Sequence, residues 1–190
     1  MIEGWLVPLA YLFGSVSSAV IVCRLMGLPD PRGEGSGNPG ATNVMRIGGK
    51  KAAAITLAGD ALKGLLPVVL ARLMGASEFV LVLVVLAAFL GHLYPIFFGF
   101  KGGKGVATAF GVSLGVNWIF GLAVLGTWLL VYKLGKISSL SAMVTAVFTP
   151  FYVWFLVGSP LVTGVFGLIS VVLLWRHRSN IKKLLEGRED

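Results

Sequence analysis

Long apolar runs alternate with short polar stretches along this chain, and these runs constrain its fold more than any other feature. Seven runs are candidates for membrane helices: Trp5–Leu25, Ala52–Met74, Phe79–Phe98, Val106–Val116, Trp118–Tyr132, Ile137–Val157 and Leu161–Trp175. Crossing the hydrocarbon core of a bilayer takes about 20 apolar residues, so the fourth and fifth runs are short. These two runs predict a hairpin of helices that turns at the segment "GVNW".

The composition agrees with a membrane location. Charged residues make up 13% of the chain, whereas soluble domains contain roughly 25%. The single cysteine, Cys23, lies in the first apolar run and cannot form an internal disulfide. The sequence therefore predicts an all-α integral membrane protein with seven transmembrane helices, some of them short, in one polytopic domain over residues 1–190.

The basic residues predict how the helices are oriented, because cytoplasmic loops carry an excess of lysine and arginine. All but two of the 16 lysines and arginines fall on one side of the predicted bundle; Arg72 lies on the other side and Lys63 within the second run. This pattern predicts an external N-terminus and a cytoplasmic C-terminus in the inner membrane. The net charge of +8 reflects this topology, so no nucleic-acid partner is expected.

Three polar segments are then predicted to meet at the cytoplasmic face: loop 26–51, loop 99–105 and an amphipathic tail over 176–190. The first contains "EGSGNPGATNVMRIGGKK", residues 34–51, whose glycine spacing matches a dinucleotide-binding fingerprint. No strand precedes it, and the acid at the required distance, Asp60, lies inside an apolar run, so nucleotide binding is excluded.

The glycines of this segment can still present successive N–H groups to an oxyanion, with neutral donors and one arginine beside them. The candidate phosphate-binding residues here are Gly35, Ser36, Gly37, Asn38, Gly40, Thr42, Asn43 and Arg46. The alternative interpretation is a flexible connector.

The second segment, "GFKGGKGVATAF" at 99–110, lacks the spacing of a nucleotide-binding P-loop because Lys104 is followed by Gly105. It nevertheless places glycines and lysines at the start of the fourth run, where a helix N-terminus favours an anion. The candidates are Lys101, Gly102, Gly103, Lys104 and Gly105. Alternatively, the two lysines only mark the inner leaflet.

The third segment is the tail "RHRSNIKKLLEGRED". Its apolar residues Ile181, Leu184 and Leu185 share one helical face, which favours a helix lying on anionic lipid. His177 and Asn180 are spaced i, i+3 and could point together at a substrate.

Besides the arginines at the ends of the runs, three ionisable residues stand out within the apolar runs, where charges are costly unless they are paired. Asp60 and Lys63 are spaced i, i+3 in the second run and either neutralise each other or belong to a site. His92, near the inner end of the third run, either packs against neighbouring aromatic residues or takes part in catalysis.

With these features the chain resembles the bacterial acyl-phosphate:glycerol-3-phosphate acyltransferases of the PlsY type. The resemblance is carried by "GSGNPGATNVMR", "KGGKGVAT" and "HRSNIKKLLEGRE", in this order. It implies transfer of a fatty acyl group from acyl phosphate to the 1-position of glycerol 3-phosphate, giving lysophosphatidic acid, the first acylation of phospholipid synthesis. The residues implicated by the resemblance are Ser36 and Arg46 for activity, Gly102, Gly103 and Gly105 for glycerol 3-phosphate binding, His177 and Asn180 in the active site, and Glu186 or Glu189 in a structural role.

The chemistry of these residues agrees with such a reaction. Both substrates carry phosphate, which Arg46, Lys104 and Lys101 can bind. Acyl phosphate has a good leaving group, so direct attack by the glycerol hydroxyl needs no acyl-enzyme, and no cofactor or metal is expected. The proton goes either to His177 or to a phosphate oxygen of the substrate.

The expected partners are the two substrates, membrane lipid and the enzyme that supplies acyl phosphate. The alternative function is a membrane transporter for a phosphate ester or another anion, although the sequence shows no internal repeat.

Overall fold

A computed structural model of the protein describes residues 2–189, and these residues form helices and loops without strands. The nine α-helices of this part are α1 (Leu6–Gly14), α2 (Ser18–Leu25), α3 (Ala41–Leu73), α4 (Glu78–Leu93), α5 (Val106–Val116), α6 (Trp118–Gly135), α7 (Ser138–Leu156), α8 (Pro160–Arg176) and α9 (Arg178–Leu185). Two short 3-10 helices cover Ile2–Trp5 and Ile96–Phe98. Most of each of the seven predicted apolar runs is therefore helical, which confirms the all-α prediction.

Fewer helices than seven meet the length that a membrane span needs. Four of the described helical segments are long and apolar enough: α3, α4 extended through the 3-10 helix to Phe98, α6 and α7. The number is up to six if the bent pairs α1–α2 and α8–α9 each count as one span. Helix α5 has only 11 residues, or about 17 Å at 1.5 Å per residue, against a core of about 30 Å.

Helix α3 begins earlier than the sequence predicts. We expected a loop as far as residue 51, but the helix begins at Ala41, and residues 41–51 lie within it. Gly49 has a φ of 75° and breaks this helix, a conformation that glycine adopts without steric cost. The apolar-run criterion missed the first turns because they are polar and lie outside the hydrophobic stretch. Arg46 is consequently carried by a helix.

The first span is interrupted rather than continuous. Helices α1 and α2 meet at an angle of 42° around residues 15–17. A break of this kind frees backbone groups that need partners inside a membrane. One of them, the carbonyl oxygen of Val16, accepts a hydrogen bond of 2.7 Å from Lys63 Nζ of α3.

Glycines let α3 and α5 approach closely. A methyl group added at Gly64 would lie 2.5 Å from the carbonyl oxygen of Thr108, and one at Gly111 would lie 2.0 Å from that of Ala61. Small residues at such positions allow membrane helices to pack backbone against backbone. This packing fixes the start of α5, and with it the loop that carries Lys104.

Candidate functional site

The three polar segments that the sequence singles out meet in the structure. The first and second loops touch, since a methyl group on Gly103 would lie 3.0 Å from the carbonyl oxygen of Pro39. The second loop and the tail are joined through Lys104, which donates a short hydrogen bond from Nζ to Asn180 Oδ1. The predicted convergence of these segments is therefore present.

The first loop is shaped by the buried side chain of Asn43. Its Nδ2 group donates to the carbonyl oxygens of Pro31 and Glu34, both at 2.9 Å, and its Oδ1 accepts from the N–H of Ser36 at 2.9 Å. Both hydrogens of the amide nitrogen are thus bonded to the backbone, so Asn43 acts on the shape of the loop. Gly35 has a φ of 61°, which suits glycine. The Ser36 side chain stays exposed.

The remaining candidates of this segment lie around the entrance to α3. Gly40 caps the helix in an extended conformation, and Asn38 is half-buried beside it. Thr42 is exposed, and its Oγ1 lies 3.2 Å from Ser138 Oγ at the start of α7.

The second loop is held from two sides. Arg176, at the end of α8, donates from Nη2 to the carbonyl oxygens of Gly102 (3.0 Å) and Gly103 (2.8 Å). On the other side the N–H of Gly103 donates to the carbonyl oxygen of His92 at 3.3 Å. Gly105 then adopts a φ of 92° directly before α5. The loop is thereby fixed although it consists largely of glycine.

A chain of hydrogen bonds runs from Lys104 into the tail. The Oε1 atom of Glu189 accepts a short hydrogen bond from Asn180 Nδ2 and another of 2.6 Å from Ser139 Oγ of α7. Because the carboxylate takes the NH2 side of the Asn180 amide, the amide oxygen is turned toward Lys104. Glu189 thus holds the Asn180 amide in this orientation.

His177 lies at the junction of α8 and α9 and is only 3% exposed. Its Nδ1 lies 2.8 Å from the carbonyl oxygen of Leu173. A carbonyl can only accept, so Nδ1 carries the hydrogen and the neutral ring keeps a lone pair on Nε2. Burial, together with the charges of Lys104 and Arg176, lowers the pKa of His177 to about 4, although the hydrogen bond with Leu173 and the charge of Glu189 act in the opposite direction. The ring is therefore uncharged at neutral pH.

Lys104 is also perturbed. Burial lowers its pKa to about 8, and the nearby charges of Lys183, Arg176 and Arg46 act in the same direction, while Glu189 opposes them. Arg46 therefore shares an electrostatic environment with the Lys104–Asn180 pair. Such a concentration of cations is suited to an anionic ligand.

A cleft of about 320 Å³ opens between the first and second loops. Its lining residues are Arg32, Gly37, Pro39, Phe100, Lys101, Gly102 and Arg176. Arg32 is anchored by Asp30 and by the carbonyl oxygen of Phe98, at 3.1 Å from Nη1. The cleft therefore combines three cations with backbone of both glycine segments.

Sequence reasoning missed several residues of this region. Arg32 and Arg176 counted only as inner-leaflet charges, and Ser138 and Ser139 were not singled out. The position of Arg176 directly before the third motif was an available signal. No spacing in the sequence indicates the contacts of the two serines.

Asp60, Lys63 and His92 form one buried group beneath the second loop. Asp60 Oδ1 lies 2.8 Å from Lys63 Nζ and 3.7 Å from His92 Nδ1. Among residues 2–189, no three His, Cys, Asp or Glu side chains are grouped so that they could hold a metal ion.

The chain was compared with known proteins. The family model of the glycerol-3-phosphate acyltransferases matches residues 4–187. The glycerol-3-phosphate acyltransferase of Hydrogenovibrio crunogenus is 58% identical over 182 residues, which are 95% of this chain and 87% of that protein. The enzyme of the same name from Methylococcus capsulatus is 56% identical over 188 residues, 99% of this chain and 95% of that protein.

Solved structures agree with these relatives. The crystal structure of PlsY (YgiH), an integral membrane glycerol 3-phosphate acyltransferase, in its glycerol 3-phosphate form superposes with a TM-score of 0.94 at 40% identity, covering 100% of this chain and 95% of that chain. Its lysophosphatidic acid form gives a TM-score of 0.91 at 38% identity, with the same coverage. With a family match along nearly its whole length and relatives more than half identical, the chain belongs to the glycerol-3-phosphate acyltransferase family.

Proposed function

We propose that this protein transfers a fatty acyl group from acyl phosphate to the 1-position of sn-glycerol 3-phosphate, giving lysophosphatidic acid and inorganic phosphate. The observation that carries the proposal is the junction of Lys104, Asn180 and His177 beside two glycine loops. Family membership supports the acceptor substrate. The choice of acyl phosphate as donor rests on the motifs and on the chemistry below.

The site is built to bind phosphate. Lys104 and Arg46 provide charge, and a phosphate bound next to them would stabilise the protonated lysine against the burial that lowers its pKa. Each charge-assisted hydrogen bond of this kind contributes about 1.5–3 kcal/mol. The exposed hydroxyl of Ser36 and the loop glycines are the neutral donors that we assign to the same phosphate.

The reaction needs no covalent intermediate with the protein. The 1-hydroxyl oxygen of glycerol 3-phosphate bonds to the acyl carbon, and the bond from that carbon to the phosphate oxygen breaks. Because the pKa of His177 is about 4, its Nε2 accepts a hydrogen bond from the hydroxyl but is a weak base. The proton therefore passes to an oxygen of the leaving phosphate, and positioning with charge stabilisation supplies the catalysis.

The two substrates reach this site from different phases. Glycerol 3-phosphate comes from water, and the acyl chain stays in the bilayer beside the apolar helices. We place the site on the cytoplasmic face of the bacterial inner membrane, with α5 as the fourth of seven spans and the N-terminus outside. The asymmetry of lysine and arginine supports this orientation.

The test is phosphate release by the purified protein supplied with acyl phosphate and glycerol 3-phosphate. Lysophosphatidic acid should form in equal amount, and Lys104→Ala or Arg46→Ala should lower kcat/KM about 10- to 100-fold. Lys133→Ala, an exposed charge outside the site, is the matched control and should keep wild-type activity. Absence of lysophosphatidic acid would refute the proposal, and uptake of glycerol 3-phosphate into liposomes without product would favour a transporter instead.

A further inference from the structure

The proposed reaction leaves one group of buried ionisable residues without a role. Asp60 and Lys63 of α3 and His92 of α4 are 2%, 6% and 6% exposed. Ionisable side chains at membrane depth are costly, and they are retained where they pair or serve a site. Their contacts show which of these two explanations applies to each residue.

The contacts of Lys63 account for a buried ammonium group at this position. Its Nζ lies 2.8 Å from Asp60 Oδ1 and donates to the carbonyl oxygen of Val16 at 2.7 Å. It thus neutralises the carboxylate and satisfies a backbone group that the bend between α1 and α2 leaves open. These are structural tasks within the first and second spans.

Asp60 also contacts residues of two other helices, α4 and α5. His92 Nδ1 is buried and forms no hydrogen bond with the described residues, and the carboxylate of Asp60 faces it from 3.7 Å. The backbone of Asp60 is also engaged, because its carbonyl oxygen accepts a hydrogen bond of 2.9 Å from Thr108 Oγ1 in the first turn of α5.

His92 continues this connection into the second loop. A methyl group on Gly103 would lie 2.4 Å from His92 Nε2, so the edge of the ring rests against this glycine. The carbonyl oxygen of His92 accepts from the N–H of Gly103. Asp60 is therefore connected to the chain on both sides of Lys104. On one side its carboxylate faces His92, which packs against Gly103. On the other side its carbonyl oxygen accepts from Thr108.

We propose that Asp60 and His92 are positioning residues, which hold the loop from Gly102 to Gly105 so that Lys104 reaches Asn180 and the phosphate of glycerol 3-phosphate. A loop rich in glycine loses much conformational freedom when it binds, and a preformed loop avoids that cost. This inference rests on the proposed function. A positioning role differs from simple charge neutralisation: if Asp60 only neutralised Lys63, any two uncharged residues could replace these two without effect on the loop.

Two double variants separate these explanations, because both remove the two charges and keep similar volume. Asp60→Leu with Lys63→Met removes the oxygen that faces His92, whereas Asp60→Asn with Lys63→Gln keeps it. The first variant should fold and raise the KM for glycerol 3-phosphate about tenfold, with the KM for acyl phosphate nearly unchanged. The second should bring the KM for glycerol 3-phosphate back toward the wild-type value. An unchanged KM in the folded Leu/Met variant would overturn the proposal.

His92→Leu leaves the ion pair between Asp60 and Lys63 intact and provides a second test if the double variants do not fold. It should raise the same KM, and a wild-type KM would likewise contradict the proposal. Arg72→Met is the matched control: Arg72 donates to the carbonyl oxygens of Gly115 and Val116 at the far end of α5. It should lower thermal stability without changing the KM for glycerol 3-phosphate.

Hydrogen exchange separates failure of this inference from failure of the proposed function. Amides of the peptide covering residues 99–106 should exchange faster in the Leu/Met variant and in His92→Leu, while those covering 133–138 should not change. If the wild-type protein makes no lysophosphatidic acid, the proposed function fails, but the exchange experiment still decides the inference. Equal exchange at residues 99–106 in all these folded proteins would overturn it.

Discussion

At the scale of single residues, the half-buried amine of Lys104 sets the expected pH dependence. With a pKa of about 8, it is charged below that pH and loses its charge as the pH rises. In the proposed site, phosphate binding needs this charge, so kcat/KM, which reports the free enzyme, should fall as the pH rises through about 8. Bound phosphate stabilises the charged form, so the fall in kcat should occur at higher pH.

Lys104→Arg provides the comparison for this profile. Arginine stays charged throughout the accessible range, so the variant should lose the alkaline fall even if its overall rate is lower. Steady-state rates measured from neutral to alkaline pH give both profiles. An alkaline fall that persists unchanged in the arginine variant would assign it to another group.

Gly103 gives a second prediction at this scale. In Gly103→Ala the added methyl group meets His92 Nε2 at 2.4 Å and the carbonyl oxygen of Pro39 at 3.0 Å. The loop must shift, and we expect a rise of about tenfold in the KM for glycerol 3-phosphate. Gly126→Ala in α6 is the control, because a methyl group there has nothing within 4 Å. It should leave the kinetics unchanged, and equal KM values in the two variants would contradict the expectation.

At the scale of elements, the carboxylate of Glu189 holds the tail against α7, in addition to the hydrogen bond between Lys104 and Asn180 of α9. Glu189 accepts from both Asn180 and Ser139, and hydrogen bonds to a charged group contribute about 1.5–3 kcal/mol each. Glu189→Ala should release the tail, free the Asn180 amide and lower kcat about tenfold or more. Limited proteolysis should show faster cleavage after residue 176.

The control for this prediction lies three residues earlier. Glu186 pairs with Arg188 on the surface of the tail and contacts neither Asn180 nor Lys104 in the interactions described above. Glu186→Ala should therefore keep both the kinetics and the cleavage pattern of the wild type. Ser139→Ala removes one of the two bonds to Glu189 and should have an intermediate effect.

Helices and motifs were predictable from the sequence to different extents. The α5 bounds agree with the predicted run because Gly105, with a positive φ, and Asn117, in an extended conformation, end the helix at its two sides. The start of α3 was missed because its first turns are polar. The glycine and basic residues of the three segments carry recognisable chemistry, so their convergence could be predicted. The contact of Asp60 with His92 could not, since it depends on how α3 and α4 pack.

At the scale of the whole molecule, the short helix α5 decides the topology. In the orientation we propose, if the 11 residues of α5 carry the chain across the bilayer, α6 starts outside and ends at the cytoplasm. If α5 does not cross, the two ends of α6 lie on the opposite sides, and every segment after α6 changes side as well. The tail would then face away from the first loop across the membrane, although Lys104 and Asn180 are in contact. This contact favours a crossing by α5.

Cysteine labelling tests this crossing directly. Cys23 is fully buried and should not react, so the wild-type protein gives the background. In right-side-out vesicles, an impermeant maleimide should label Trp118→Cys at the start of α6, which is 65% exposed. Lys133→Cys, in the last turn of the same helix, should react only after the membrane is permeabilised. With the N-terminus outside as proposed, the reverse pattern would mean that α5 does not cross, and labelling of both sites from one side would exclude α6 as a span.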